Sequence, residues 1–251
     1  MEFRGYFRLA ALGLVLAGFA GAVRADTAER PLGVIELFTS QGCNSCPPAD
    51  ELFAEFAADK NMVALAYHVT YWDYLGWQDK LASSDNTDRQ YAYMRAFGGR
   101  SVYTPQAVIN GRTHVNGAKR EDVTGALDNL ARTGQGMNVD IGVVQNNDTV
   151  TINVGAADGP ASAAHVMIVH FQPPQVVDLE QGENSGRQIT YWNAVTDAHA
   201  AGMWHGKAQR YELPKSELEK KGGCAVLLQA VGKDGLPGPI LGATIVRRPT
   251  I

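Results

Sequence analysis

Along the first half of the chain, apolar runs alternate with segments of helical spacing. "GVIELFT" (33–39) is a short β-rich run. Behind it, Leu52, Phe53, Phe56 and Ala57 recur at the spacing of a helix covering about Asn44 to Asp59. "NMVALAYHV" then reads as a second buried strand, parallel to the first because a helix makes the crossover. A further helix is predicted over Asp85–Phe97, with Asp85 or Asn86 as its cap and Gly98-Gly99 as its stop. "TPQAVINGRTHVNG" holds two short strands around Asn110-Gly111, a dipeptide suited to a type I′ turn, and "KREDVTGALDNLART" makes another helix.

From Met137 onward the pattern changes. "NVDIGVVQ", "TVTINVGA", "AAHVMIVHF", "CAVLLQAV" and "ATIVRR" are β-branched runs separated by turn residues such as Asn146-Asn147-Asp148, which predicts a β-sandwich. The division this implies is an N-terminal domain over 30–134, a boundary in "RTGQGMN" and a C-terminal domain over 137–251.

The first residues read differently. Arg4 and Arg8 precede an apolar run from Leu9 to Ala22, and Val23-Arg24-Ala25 offers small residues for a signal peptidase. That run of about 14 residues falls short of the roughly 20 a spanning helix needs, so a cleaved export signal over 1–25 is expected rather than an anchor. The expected mature chain is periplasmic, without stable membrane insertion. Its loss of Glu2, Arg4, Arg8 and Arg24 removes three positive charges and one negative, taking the formal charge from -4 to -6. A mildly acidic chain with no cluster of Lys and Arg is a poor partner for nucleic acid.

Three cysteines are present, and in an oxidising compartment Cys43 and Cys46 are the obvious pair, with Cys224 left as a small buried hydrophobe. A helix beginning just after Cys43 would surround its sulfur with free N–H groups and favour the thiolate. Cys43 is then the nucleophile and Cys46, one turn on, the resolving thiol. Pro47 and Pro48 suit a first helical turn. A zinc site needs four ligands, usually from two such pairs, and no second CxxC exists. A passive staple across so short a loop would constrain the unfolded chain little.

Strand, CxxC, helix, strand, helix, then Thr104-Pro105 before a hairpin and a last helix resembles the thioredoxin fold. "ELFTSQGCNSCPPAD", "YHVTYWDYLGWQD", "RQYAY", "YTPQAVINGR" and "GENSGRQITYWNAV" together resemble the secreted thioredoxin-like proteins grouped as domain-of-unknown-function family 1223. The resemblance implies an α/β thioredoxin-like domain with a helical insertion, followed by the all-β domain. It also implies that Pro105 is a cis-proline presenting the backbone of Thr104 to a substrate chain, and that Glu36, on the strand before the CxxC, accepts a proton from the second cysteine. Asn44-Ser45 departs from the Gly-Pro of thioredoxin itself, so the direction of electron flow does not transfer.

Tyr71, Trp72, Tyr74 and Trp77 form an aromatic cluster in which Tyr71 and Trp72 are candidates to wall a substrate groove; a core anchor is the competing assignment. Glu183, Asn184 and Arg187 of "GENSGR" either bridge the two halves or read a substrate. His165, Met167, His170, His199, Met203 and His205 raise copper, but strand alternation sends His165 and His170 to opposite faces, so no metal residues are assigned. The expected function is disulfide exchange with protein thiols or disulfides and a redox partner protein, without a cofactor. The alternative is a non-catalytic binding module with a structural disulfide, metal being one candidate ligand.

Overall fold

The computed structural model describes residues 30–159, 163–217 and 222–247. The expected export signal lies outside these residues. Among the described residues no helix is long and apolar enough to cross a membrane.

Strand β1 (Gly33–Thr39) leads through the cysteine loop to α1 (Pro47–Ala58), and β2 (Met62–His68) returns parallel to β1. After a loop containing a single 3-10 turn comes α2 (Ser84–Ala96), then the hairpin β3 (Gln106–Ile109) and β4 (Thr113–Asn116), then α3 (Arg120–Arg132). The four strands form one sheet in the order β2-β1-β3-β4. Ser83, rather than Asp85 or Asn86, caps α2: its hydroxyl accepts from the Asn86 N–H at 3.1 Å. Asn110 and Gly111 both have positive φ, 50° and 61°, as a type I′ turn requires.

The remaining strands are β5 (Ile141–Gln145), β6 (Thr149–Val154), β7 (Ala164–Phe171), β8 (Gln175–Leu179), β9 (Arg187–Tyr191), β10 (Val195–Trp204), β11 (Gln209–Pro214), β12 (Gly223–Val231) and β13 (Pro237–Arg247). They make a four-stranded sheet β10-β7-β12-β13, a three-stranded sheet β11-β6-β5 and the ribbon β8-β9.

The expected fold class, an α/β thioredoxin-like domain with an all-β sandwich attached, is corrected. Among the described residues strand accounts for 41% and helix for 22%, with three α-helices spread against several sheets, so this part of the chain is mostly β. The physical reason lies in β1. Its residues alternate between faces: Ile35 and Leu37 pack on Ala49, Phe53 and Ala57 of α1 and on Val123 and Leu130 of α3. Val34 and Phe38, on the other face, pack with Val169, Phe171, Val195, Ala225, Leu227 and Ile240 of the β10-β7-β12-β13 sheet. Sheet, not helix, covers most of that face. The second sheet in turn uses Val166, Ile168, Val226 and Leu228 to pack on Val150 and Ile152 of β6. Each fully buried side chain of Leu or Phe size contributes about 1.5–3 kcal/mol by leaving water.

One polar cluster crosses the first of these interfaces. Glu36, buried on β1, accepts from Arg89 Nε at 2.7 Å and from the Tyr93 hydroxyl. Arg89 also donates to Gln229 Oε1 of β12 at 3.0 Å, and its guanidinium lies 5.3 Å from the Tyr67 ring centre and 5.1 Å from that of Tyr93. Burial works against the Arg89 charge, but Glu36 outweighs it and holds the guanidinium protonated.

Removing one partner of a buried ion pair strands the other charge, which typically costs about 3–5 kcal/mol. Arg89→Met should therefore lose about that much in urea unfolding. Glu36→Gln combined with Arg89→Met should recover part of the loss, because no charge is then left alone.

Candidate functional site

The loop between β1 and α1 is pinned before the helix begins. The Gln41 N–H donates to Asp79 Oδ2 at 2.9 Å, and Gln41 Oε1 accepts from Trp77 Nε1 at 2.8 Å. Asn184, in the loop between β8 and β9, donates through Nδ2 to the carbonyls of both Gln41 and Cys43, each at 2.9 Å. Of the two roles weighed for the "GENSGR" loop, bridging is the one its Asn184 performs. Gly42 passes so near Trp72 that a Cβ there would sit 3.1 Å from the Trp72 carbonyl oxygen.

Cys43 and Cys46 are joined as a disulfide with their Cα atoms 5.4 Å apart, and both residues are 0% exposed. The helix starts later than a backbone-activated Cys43 requires: α1 begins at Pro47, with Cys46 as its N-cap. Pro47 and Pro48 have no N–H to offer, and the next two amides, of Ala49 and Asp50, both donate to the Cys46 carbonyl. Side chains serve Cys43 instead. Thr104 donates its hydroxyl to Cys43 Sγ at 3.2 Å, while Trp72 Nε1 donates to Thr104 Oγ1 at 2.8 Å. An indole N–H can only donate, so it occupies a lone pair of the hydroxyl and leaves that hydroxyl's hydrogen for the sulfur. The Ser45 hydroxyl adds a contact, 3.3 Å from Cys43 Sγ and 3.4 Å from the Thr104 carbonyl oxygen.

The Thr104–Pro105 peptide bond is cis. Tyr71 does not touch the sulfurs; its hydroxyl donates to Gln90 Oε1 at 3.1 Å, and Gln90 Nε2 donates to the Tyr103 carbonyl and to Gln106 Oε1, both at 2.9 Å. Burial raises the Tyr71 phenol to about 12, so it stays a donor in that chain. Tyr71 and Trp72 are half-buried and pack against the core between the two sheets, Trp77 is half-buried and Tyr74 is 78% exposed.

Glu36 is not brought to the disulfide. It occupies the face of β1 that meets the second sheet, whereas α1 and the cysteines lie toward the other face. A different acid stands behind Cys46. Asp50 is one helical turn further along α1, on the same side as Cys46, and is buried. Thr39 donates to its Oδ1 at 2.8 Å, while Oδ2 has no protein partner. Burial pushes the Asp50 carboxyl up to about 7, against the lowering effect of His68 and of the Thr39 hydrogen bond.

His68, at the end of β2, pairs through Nδ1 with Asp79 Oδ2 at 2.7 Å, both side chains fully buried. Burial alone would lower the imidazole and raise the carboxyl. Their mutual attraction wins, so His68 is held above its ordinary value and Asp79 below. Tyr191 of β9 closes this group edge-on to His68 at 4.9 Å.

Of the residues singled out from the sequence, the structure brings Cys43, Cys46, Thr104 and Trp72 together, with Pro105 following Thr104, and sets Tyr71 one contact away; Asp50, Asp79 and the Ser45 hydroxyl are additions to which the sequence had assigned no role. The four-residue step from Cys46 to Asp50 was a readable sign of the first. Nothing in the sequence spacing points to Asp79, which reaches the loop from 38 positions away. A groove of about 600 Å³ runs beside the helix start, between Pro47, Pro48 and Glu51 of α1 and Ile189, Thr190 and Trp192 at β9. A second cavity, of about 530 Å³, lies against Arg89, His165 and Gln229, away from the sulfurs.

Two solved structures are similar to the chain. The X-ray structure of protein AGR_C_4864 from Agrobacterium tumefaciens, a structural-genomics target, is 46% identical over 89% of this chain and 97% of its own, with a TM-score of 0.81. HBP35 of Porphyromonas gingivalis is 12% identical, covering 86% of this chain and 74% of its own with a TM-score of 0.56, a likeness of fold alone. Neither is described as a thioredoxin, in keeping with the corrected fold class. No curated protein matches the chain. Residues 34–229 match the family model described as "Protein of unknown function (DUF1223)", and the chain belongs to that family.

Proposed function

We propose that the protein is a thiol–disulfide oxidoreductase acting through Cys43 and Cys46. The observation that carries this reading is the asymmetry around the two sulfurs. Two hydroxyls contact Cys43 Sγ, one of them oriented by an indole, and a buried acid titrating near neutrality stands one turn behind Cys46. A passive cross-link requires neither.

In the oxidised protein a substrate thiolate attacks Cys43 Sγ, the Cys43–Cys46 bond breaks, and Cys46 leaves with the bonding electrons. Protonated Asp50 supplies its proton. A second substrate thiol then attacks the mixed disulfide, releasing an oxidised substrate and Cys43 thiolate, which Thr104 and Ser45 stabilise. Two electrons have moved from the substrate dithiol to the cysteine pair; Cys46 keeps the proton from Asp50, the proton of the second substrate thiol restores the Asp50 carboxyl, and Cys43 is left as the thiolate. Run backwards, ionised Asp50 takes the proton from Cys46 so that it can displace whatever Cys43 has captured. Protein thiols or disulfides and a redox partner protein are the reactants. The export signal read in residues 1–25 supports a periplasmic setting.

The complete burial of both cysteines favours a second reading, a binding module with a structural disulfide. Exchange requires the wall at Trp72 and Thr104 to open, whereas a staple does not. A four-residue loop closed by a disulfide contributes only about 2 kcal/mol through chain entropy.

In a Cys46→Ser variant, rapid alkylation of Cys43 by iodoacetamide should titrate below the ordinary thiol value of about 8.5. Adding Thr104→Val should raise that midpoint by about one unit, equivalent to one modest hydrogen bond. A Cys43 thiol that titrates like free cysteine and never forms a mixed disulfide with a reduced test protein would decide for the structural reading.

Asp50→Asn should slow release of a mixed disulfide held on Cys43 by about 10²-fold. It should also abolish the rise of that rate as pH passes 7. The same substitution tests stability with a fixed sign. The folded carboxyl binds its proton more tightly than the unfolded one, so its contribution is complete below about pH 4 and is lost as pH rises through about 7. Urea unfolding of Asp50→Asn should lack that decline.

A further inference from the structure

The face of the β10-β7-β12-β13 sheet turned away from the disulfide half carries a second cluster. His170 on β7 is opposite Asp197 of β10 in register, and His199 follows two residues on, so all three side chains share that face. Glu217, in the 3-10 turn after β11, closes over them from the neighbouring sheet. One ring nitrogen of His170, one of His199 and one carboxylate oxygen of Glu217 lie within 4.8 Å of one another.

The hydrogen bonding gives this convergence a direction. His199 Nδ1 is 2.9 Å from Asp197 Oδ2. A carboxylate only accepts, so a proton sits on Nδ1, and in that tautomer of the ring the Nε2 lone pair faces outward. That Nε2 lies 3.5 Å from Glu217 Oε2. A lone pair facing a carboxylate oxygen is repulsive unless a cation lies between them. A second proton on the ring would answer that pair alone. A metal ion would answer the third donor as well, since the His170 ring centre is 5.8 Å from that of His199.

We infer that His170, His199 and Glu217 form a binding site for a late first-row divalent metal ion of the zinc class, with Asp197 orienting His199. Donors about 2.0–2.2 Å from a tetrahedral ion are roughly 3.3 Å apart, so the trio must close by about 1 Å or more. His199 and Glu217, with side chains 38% and 39% exposed, have room to do this, while buried His170 provides the fixed corner. Two imidazoles with one carboxylate select Zn²⁺, Cu²⁺ or Ni²⁺ over Mg²⁺ or Ca²⁺. Three protein ligands leave a coordination position for water or an exogenous ligand, unlike a closed structural site. The carboxylate behind His199 is the usual outer partner of a ligating imidazole. The site is independent of the disulfide reading, because the two clusters use different sheet faces and share no residue.

The test uses the full chain with Cys43 and Cys46 oxidised, so that this pair does not compete, and with Cys224, which is opposite His170 in register, replaced by Ala in a parallel sample that should bind alike; each is stripped with a chelator and titrated with ZnCl₂ by calorimetry. One ion per chain, undisturbed by millimolar Mg²⁺, is expected. His199→Ala and Glu217→Gln should each weaken binding at least about tenfold, and Asp197→Asn by about 10–100-fold. His205→Ala, on an exposed residue outside the cluster, should leave it unchanged. Absence of stoichiometric binding overturns the proposal. So does binding that survives both His199→Ala and Glu217→Gln, or that disappears with His205→Ala. The Asp197, His199, His205 and Glu217 substitutions are at exposed or half-buried positions, and unchanged circular dichroism confirms folding in each.

Discussion

Strand β1 is buried on both faces, and each face answers to a different part of the chain. Ile35 and Leu37 require α1 and α3; Val34, Glu36 and Phe38 require α2 and strands that follow more than a hundred residues later. The cysteine loop leaves directly from the end of this strand. Its position is therefore set by two packing surfaces at once, which is how a loop of seven residues between β1 and α1 is held in one geometry. Asn184 completes the arrangement, since losing it would leave the Gln41 carbonyl to find a new donor and the Cys43 carbonyl with the Cys46 N–H alone.

The same constraint explains why the disulfide is covered. A sheet packed on sheet brings the β8-β9 ribbon up to α1 on one side, and the loop carrying Trp72 closes on the other. Polar groups beneath that cover cannot rely on water. Their charges are settled by one another: Asp79 holds the His68 imidazole above its ordinary value, and Asp50, with a single hydroxyl donor, is left near neutrality. Two carboxyls in one buried cluster thus titrate apart, because Asp79 is hydrogen-bonded to His68 and to two backbone N–H groups whereas Asp50 has one hydroxyl donor.

Local pattern carried much of this architecture. The strand at 33–39, the crossover helix, the I′ turn at Asn110-Gly111 and the β-branched runs were all readable, because each depends on residues near one another in sequence. What covers the second face of β1 was not readable, since an apolar face does not say whether a helix or a sheet will meet it. Strands β8 to β11 escaped for another reason: they are rich in polar residues on half-exposed edges, so they show no continuous apolar run. At the site, Cys43, Cys46, Thr104 and Trp72 were legible, whereas the helix start was misjudged by one turn. Two prolines mark a first turn, but they fix which residues begin it only when the cap is seen. Glu36 was sound as a buried acid and misplaced as a proton acceptor, because alternation along β1 turns it from α1.

The paired prolines at the head of α1 have a consequence for how this centre can change over time. Where backbone amides tune a sulfur, the tuning is fixed by the fold and no substitution can remove it without breaking the helix. Here that influence is delegated to a serine, a threonine and a tryptophan, three codons that can drift independently of the scaffold. Under the proposed disulfide exchange, replacing one hydroxyl-bearing side chain would therefore shift the pair's affinity for electrons while leaving the architecture in place.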